Sequence, residues 1–264
     1  MLKFQINFRR NLDPIFLSKK INSKIRTYGF CVLKNFNDLK TQSKILEIIK
    51  KKSKKYKNIR LSGTNRLFNN DYKRTDLGNS YKNPRFMRIL TFFEWQKENK
   101  LFFSLINKAI NLRNSLSSNK KINYFYPNAK PIGKKRIGRN FVYSDFVRMI
   151  QYPKGGGFLS EHEDYDKYYC KDSMGMLLPI TVKSKENKIN KKKLEGYRDG
   201  GLYFVNNCKK KILIDDSIQS GDIIFFNPKI RHGVMSIDPY ENIELNKISG
   251  RITLAFSVSR FLKK

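Results

Sequence analysis

The sequence predicts a mainly β fold with helices flanking it, on three observations. Beyond residue 140, short apolar runs alternate with turn signals, the pattern of strands. Before it, apolar residues recur with the helical period. The hydrophobic fraction of 39%, with 20 phenylalanines, is enough for a sizeable core. Several short strands with few helices indicate a sandwich or barrel. At 264 residues the chain suits one elaborated domain and is short for two. It is expected as a single domain over residues 1–264: a helical N-terminal region with an early strand (1–139), then the β core (140–262).

In chain order, Tyr28 to Leu33 reads as the early strand. Asn37 and Asp38 can cap a helix whose apolar face includes Ile45, Leu46 and Ile49. Lys50 to Lys57 is the densest charge block and is expected as the solvated end of that helix. Phe102, Leu105, Ile106, Ala109 and Ile110 form one stripe of an amphipathic helix. Phe146 to Pro153 alternates as a strand and ends at Lys154-Gly155-Gly156-Gly157, expected as a flexible connection. Further strands are expected over Met174–Val182, Gly201–Val205, Lys211–Ile214, Asp222–Phe226 and Ile252–Ser259. Lys183 to Glu195 is a lysine-rich polar insertion, read as a loop.

The charge balance is extreme, 55 Lys+Arg against 22 Asp+Glu, for a net +33. Such a field attracts nucleic acid, anionic surfaces or acidic substrates. The same Lys, Asn and Ile excess is what an AT-rich genome writes into all its proteins. The charge therefore leaves nucleic acid open as a partner without pointing to it. Three widely spaced cysteines, Cys31, Cys170 and Cys208, form no CxxC pair and suit a reducing compartment. No apolar run approaches the roughly 18 residues of a membrane span. Met1 to Arg10 lacks the apolar stretch of a secretion signal, so a cytoplasmic location is expected.

The chemistry is carried by a constellation around the chain's two histidines. In Ser160-Glu161-His162-Glu163-Asp164, strand alternation would put His162 and Asp164 on one face and Glu163 on the other. In Gly221-Asp222-Ile223-Ile224-Phe225-Phe226, a turn glycine leads into an apolar strand, and His232 follows just beyond it. Two imidazoles and one carboxylate make the facial triad that suits non-haem iron(II) and leaves positions open. Structural zinc would want a fourth protein ligand, usually sulfur. Further on, Gly250-Arg251-Ile252-Thr253 opens the last strong strand, with Arg251 and Thr253 on one face. A guanidinium fork with a hydroxyl beside it is suited to binding a carboxylate.

On these residues the sequence resembles the 2-oxoglutarate/iron(II)-dependent oxygenase superfamily, the isopenicillin-synthase-like branch most. The similarity covers roughly residues 140 to 262. It rests on Arg148-Met149-Ile150-Gln151-Tyr152-Pro153, the His162/Asp164 pair, Gly200-Gly201-Leu202, Gly221-Asp222, His232-Gly233-Val234 and Arg251-Ile252-Thr253. Two departures are Ile150, where that branch often has Asn, and the lysine-rich insertion. The resemblance implies a double-stranded β-helix (jelly-roll) core. It implies His162, Asp164 and His232 as iron(II) ligands, with 2-oxoglutarate and O2 as co-substrates. Arg251, helped by Thr253, would anchor the distal carboxylate of 2-oxoglutarate, and Tyr152 matches a tyrosine that often bonds the same group. Arg148 shares a strand face with Tyr152 and is a candidate to meet an acidic substrate. The implied activity is hydroxylation of a small organic substrate, with release of succinate and CO2. Halogenation is disfavoured, because related halogenases lack the carboxylate supplied here by Asp164.

Three other readings are open. A nucleic-acid demethylase of the same superfamily would suit the charge, but where that branch has a second arginine this chain has Ser257. A prolyl-hydroxylase-like enzyme is suggested by Tyr152, Gly155 and Phe158 ahead of His162, although that branch normally anchors the co-substrate with lysine. The third is a non-catalytic basic jelly-roll module.

Overall fold

The computed structural model describes residues 2–8, 13–54, 72–77, 84–93, 97–116, 141–164, 174–184, 194–206, 208–243 and 247–262. Helix α1 (Pro14–Tyr28) was not anticipated. Its start is set by Asp13, which accepts from the N–H groups of Ile15 (3.2 Å) and Phe16 (3.1 Å), with proline in the first turn. Gly29 ends it in the left-handed region (φ 82°), donating to the Ile25 carbonyl at 2.8 Å. Tyr28 and Gly29 therefore close a helix, and the early strand begins only at Phe30.

Helix α2 (Leu39–Ser53) is capped by Asp38, as expected, through the Thr41 N–H at 2.7 Å. It buries Ile45 and Ile49. Its lysine-rich end is not all solvated: Lys52 is buried, its ammonium 4.7 Å from the centre of the Phe92 ring. Lys55 to Lys57 lie outside the described residues. Helix α3 (Lys100–Leu116) buries Phe102, Ile106 and Ala109 along the anticipated stripe.

The strands are β1 (Gln5–Asn7), β2 (Phe30–Lys34), β3 (Tyr72–Leu77), β4 (Pro84–Phe92), β5 (Phe141–Tyr152), β6 (Gly157–His162) and β7 (Gly175–Pro179). After them come β8 (Val182–Lys183), β9 (Glu195–Tyr197), β10 (Gly201–Val205), β11 (Lys211–Leu213), β12 (Ile223–Phe226), β13 (His232–Ile237) and β14 (Arg251–Leu262). One sheet runs β1-β2-β12-β7-β14-β5-β4-β6-β13-β10-β11, with β3 also on β4, while β8 and β9 pair separately. Within that sheet β1 and β2 are parallel, and the other pairings are antiparallel. Cys31 is buried and Cys208 exposed, both as free thiols, and Cys170 lies outside the described residues. Among the described residues, no helix is long and apolar enough to cross a membrane.

Strands from opposite ends of that order touch. Phe30 of β2 stacks on Phe204 of β10 with ring centres 4.7 Å apart, and Phe204 meets Phe226 of β12 at 5.5 Å. The sheet therefore turns back on itself, and each strand has an inner and an outer side. Along β12, Ile224 and Phe226 join the inner cluster, while Ile223 and Phe225 join the outer one that packs against α1, α2 and α3. Along β14 the outer residues are Ile252 and Leu254, which puts Arg251 and Thr253 on the inner side.

Two devices fix the framework beside the site. The glycine turn between β5 and β6 is tied down: the N–H groups of Gly155 and Gly156 donate to Asp238 (3.0 Å) and Ile237 (2.9 Å) at the end of β13. Asp222, fully buried, accepts from Lys34 (2.5 Å) and from the N–H groups of Asn35 (2.9 Å) and Gln219 (2.7 Å). Burial lifts its pKa even so, against the pull of Lys34 and both N–H groups, so the arrangement carries a desolvation cost. Asp222→Ala is expected to lower stability by about 3–5 kcal/mol, because it leaves the Lys34 ammonium, whose side chain is 11% exposed, with the Ser217 carbonyl but no counter-charge, and takes the acceptor from the Asn35 and Gln219 N–H groups. Urea unfolding monitored by circular dichroism measures this; a loss under about 1 kcal/mol would show that water satisfies Lys34.

Candidate metal centre

His162 is the last residue of β6 and His232 the first of β13, and the two stand directly opposite each other in the antiparallel pairing. Cross-strand partners project to the same side. Their ring centres are 4.4 Å apart. His232 also packs against Phe226 and Phe204, at 5.1 and 5.7 Å between ring centres.

Each ring is oriented by a backbone carbonyl two residues before it, on β6 for His162 and in the turn ahead of β13 for His232. The Nδ1 of His162 lies 2.8 Å from the Ser160 carbonyl, and that of His232 lies 2.9 Å from the Ile230 carbonyl. A carbonyl only accepts, so Nδ1 carries a hydrogen in both rings, and Nε2 is the atom each neutral ring would offer to a metal. Both Nε2 atoms face Asp164, at 3.4 Å (His162) and 3.5 Å (His232) from its two carboxylate oxygens. The three donor atoms lie within 4.8 Å of one another. Donors about 2.1 Å from a shared cation, on one face of its shell, stand about 3 Å apart, so the two Nε2–carboxylate spacings are near those of a shared metal ion and binding would draw the whole group closer. The Asp164 side chain is 43% exposed, which leaves that flank of the site open.

Asp164 reaches the pair by a different route from the expected one. Strand β6 stops at His162, and Asp164 lies in the segment after it, its N–H donating to the Pro228 carbonyl at 2.9 Å. The backbone bond to the loop ahead of His232, not strand alternation, brings the carboxylate in. Glu163 is exposed.

The second group lies along β5 and β14. Arg251 pairs with Tyr152 across the strands, and Thr253 with Ile150. Arg251, Thr253 and Tyr152 are all buried; Arg148, on the same side of β5 as Tyr152, is partly buried. Thr253 donates to the Leu178 carbonyl at 3.3 Å. Burial pushes the Tyr152 pKa up, Arg251 and Arg148 pull it down, and Asp164 pushes it up again. The phenol keeps its proton as a hydrogen-bond donor, within electrostatic reach of both Arg251 and Asp164.

Arg251 has a partner that the sequence did not suggest. Its Nε donates to Oδ2 of Asp215 at 2.6 Å, and an Nη stands 3.4 Å from Oδ1. The same Oδ2 accepts from the Tyr197 hydroxyl (2.5 Å) and the Leu202 N–H (2.9 Å). Burial alone would loosen the arginine proton, but Asp215 outweighs it and holds the proton more firmly than usual. Asp215 sits among turn residues after β11 and reads there as an ordinary loop acid. One signal was available: Gly201, with φ 122°, has no room for a side chain, since a Cβ would stand 2.6 Å from Asp215 Oδ2.

No protein-family model matches the sequence, and no curated protein matches it. Solved structures do share the fold. A Caulobacter crescentus protein assigned to the 2OG-Fe(II) oxygenase family superposes with a TM-score of 0.56 at 10% identity, over 98% of this chain and 86% of that one. A Trichoplax adhaerens prolyl hydroxylase, in complex with a peptide of the hypoxia inducible factor oxygen degradation domain, gives 0.51 at 15% identity, over 93% and 90%. The epimerase SnoN, with Fe3+, alpha ketoglutarate and nogalamycin RO, gives 0.51 at 8% identity, over 96% and 88%. The chain thus has the fold of these 2-oxoglutarate/iron(II) oxygenases, and within it His162, Asp164 and His232 form a group that could hold a metal ion.

The geometry predicts one divalent metal ion per chain, tested with iron(II). His162→Ala and His232→Ala should each abolish stoichiometric loading and leave the circular dichroism spectrum unchanged. Glu163→Ala, at an exposed position, should load like the parent. Metal analysis after anaerobic gel filtration decides; full loading of both histidine variants would place the metal elsewhere.

Proposed function

We propose that this chain is an iron(II)- and 2-oxoglutarate-dependent dioxygenase that hydroxylates a small organic substrate. The observation that carries the reading is the pair of imidazoles whose Nε2 atoms face Asp164, together with a buried arginine paired with Tyr152 on the inner side of the same sheet. On this reading the whole chain is one oxygenase domain, and the folded-back sheet is a double-stranded β-helix. Fold alone does not choose among reactions, since one fold hosts many.

His162, Asp164 and His232 would hold iron(II), and Arg251 with Thr253 and Tyr152 would hold 2-oxoglutarate. Loaded with both, the centre would supply an oxidation in which one oxygen atom of O2 enters succinate and the other the product, with CO2 released from the keto acid. The chain's own part is positioning. Tyr152, its proton retained, can donate to the distal carboxylate. Phe204 and Phe226 hold the His232 ring and keep water from its inner side. The half-exposed flank at Asp164 is where substrate would enter, and Arg148, on the Tyr152 side of β5, suits an acidic group on it. Prolyl hydroxylases share this fold, but Arg251 stands where that branch normally uses lysine, so a small molecule is preferred over a prolyl peptide.

Two measurements test the reading. Succinate should form from 2-oxoglutarate in a panel of acidic small molecules only when iron(II) and the right substrate are both present. Arg251→Met should weaken 2-oxoglutarate binding by about 2–5 kcal/mol, the usual cost of stripping one partner from a buried charge pair. Thr253→Val should cost about 0.5–1.5 kcal/mol, the one ordinary hydrogen bond its hydroxyl would give the carboxylate on turning from the Leu178 carbonyl. Anaerobic titration of the iron(II) protein, followed by its metal-to-keto-acid absorption band, measures both, and neither variant should lose iron. A parent protein that develops no such band would refute the proposal.

A further inference from the structure

Among the buried polar groups, the Asp215–Tyr197–Arg251 cluster has an organisation that packing does not require. A buried ion pair is seldom worth more to stability than apolar side chains of the same volume, because desolvation consumes the attraction. Here the pair is also elaborately held. Asp215 is 1% exposed, and its Oδ2 takes three donors: Arg251 Nε at 2.6 Å, the Tyr197 hydroxyl at 2.5 Å and the Leu202 N–H at 2.9 Å. Gly201 leaves the space that the carboxylate fills. Asp215 is thus fixed from β9 and β10 while it grips a side chain of β14. Its contacts use Nε and one Nη, which is one edge of the guanidinium fork, and a fork has a second edge.

We infer that Asp215, seconded by Tyr197, is a positioning residue: it clamps one edge of Arg251 so that the other meets the distal carboxylate of the co-substrate at a fixed depth from the His162–Asp164–His232 group. The inference rests on the proposed function and adds a property to it. A keto diacid must span from the metal group to the arginine, so a rigid guanidinium selects chain length. Without the clamp, Arg251 can follow carboxylates at other depths, and selection weakens. A purely structural pair would lower stability when broken and leave length preference alone.

The test is an anaerobic titration of the iron(II) protein with 2-oxoglutarate, with oxaloacetate (one methylene shorter) and with 2-oxoadipate (one longer), for the parent, Asp215→Asn and Tyr197→Phe. Melting curves and iron content are recorded alongside. The parent should prefer 2-oxoglutarate. Asp215→Asn should bind it roughly tenfold or more weakly, the loss of a charged hydrogen bond, and keep little preference over the other two acids. Tyr197→Phe removes one hydroxyl and should shift both quantities the same way by about threefold, which keeps the test decisive if Asp215→Asn does not fold. Iron content should stay at the parental value in each folded variant. Parental affinity and parental length preference in the folded variants, with only the melting temperature lowered, would overturn the inference and leave the proposed function standing. A parent that binds none of the three acids would instead overturn the proposed function, and this inference with it.

Discussion

The structure depends on one cross-strand pairing, His162 opposite His232 where β6 and β13 meet. Antiparallel register places the two imidazoles side by side, and a carbonyl two residues back in the chain then orients each ring. Neither ring needs a metal to acquire the right tautomer. Asp164 completes the group because its backbone is bonded to Pro228, in the loop that leads into His232. All three donors therefore hang on one short piece of ladder. A one-residue slip between β6 and β13 would turn one imidazole to the other side of the sheet. The tied glycine turn ahead of β6, bonded to the end of β13, holds that register.

The buried charges follow a related logic on the other strands. Lys34 with Asp222 secures β2 to the turn before β12, and Arg251 with Asp215 secures β14 to the segment after β11. The first pair serves the framework. The second includes the arginine proposed to hold the co-substrate, and its desolvation cost is tolerable because Oδ2 is saturated by three donors. The helices cover the outer side of the sheet and leave the inner side to these groups.

Much of this was legible in the sequence, and the reasons are local. The apolar run expected over Asp222–Phe226 and the alternating run over Ile252–Ser259 became β12 and β14, and the stripe through Phe102, Ile106 and Ala109 became α3. The metal group was legible because the chain has only two histidines, each in a distinctive neighbourhood. Helix α1 was missed although Asp13, Pro14 and Gly29 mark both of its ends, because the neighbouring Tyr28–Leu33 run reads as strand across the boundary. Asp164 does join the two histidines, but not by strand alternation, since β6 ends two residues before it. Asp215 was invisible because nothing in Leu213-Ile214-Asp215-Asp216-Ser217 says that one acid turns inward. Burial of a charge against a partner distant in sequence is a tertiary fact, and only the cramped Gly201 hints at it.

The central claim is that two imidazoles and one carboxylate hold iron(II) and leave part of its shell for a keto acid. Iron X-ray absorption on the anaerobic iron(II) protein tests it most directly, before and after addition of 2-oxoglutarate. The account predicts scattering from two imidazole ligands and no sulfur. It also predicts a change in the oxygen shell when the keto acid displaces water, with the imidazole signal unaltered. A sulfur ligand, a single imidazole, or a spectrum indifferent to 2-oxoglutarate would contradict it.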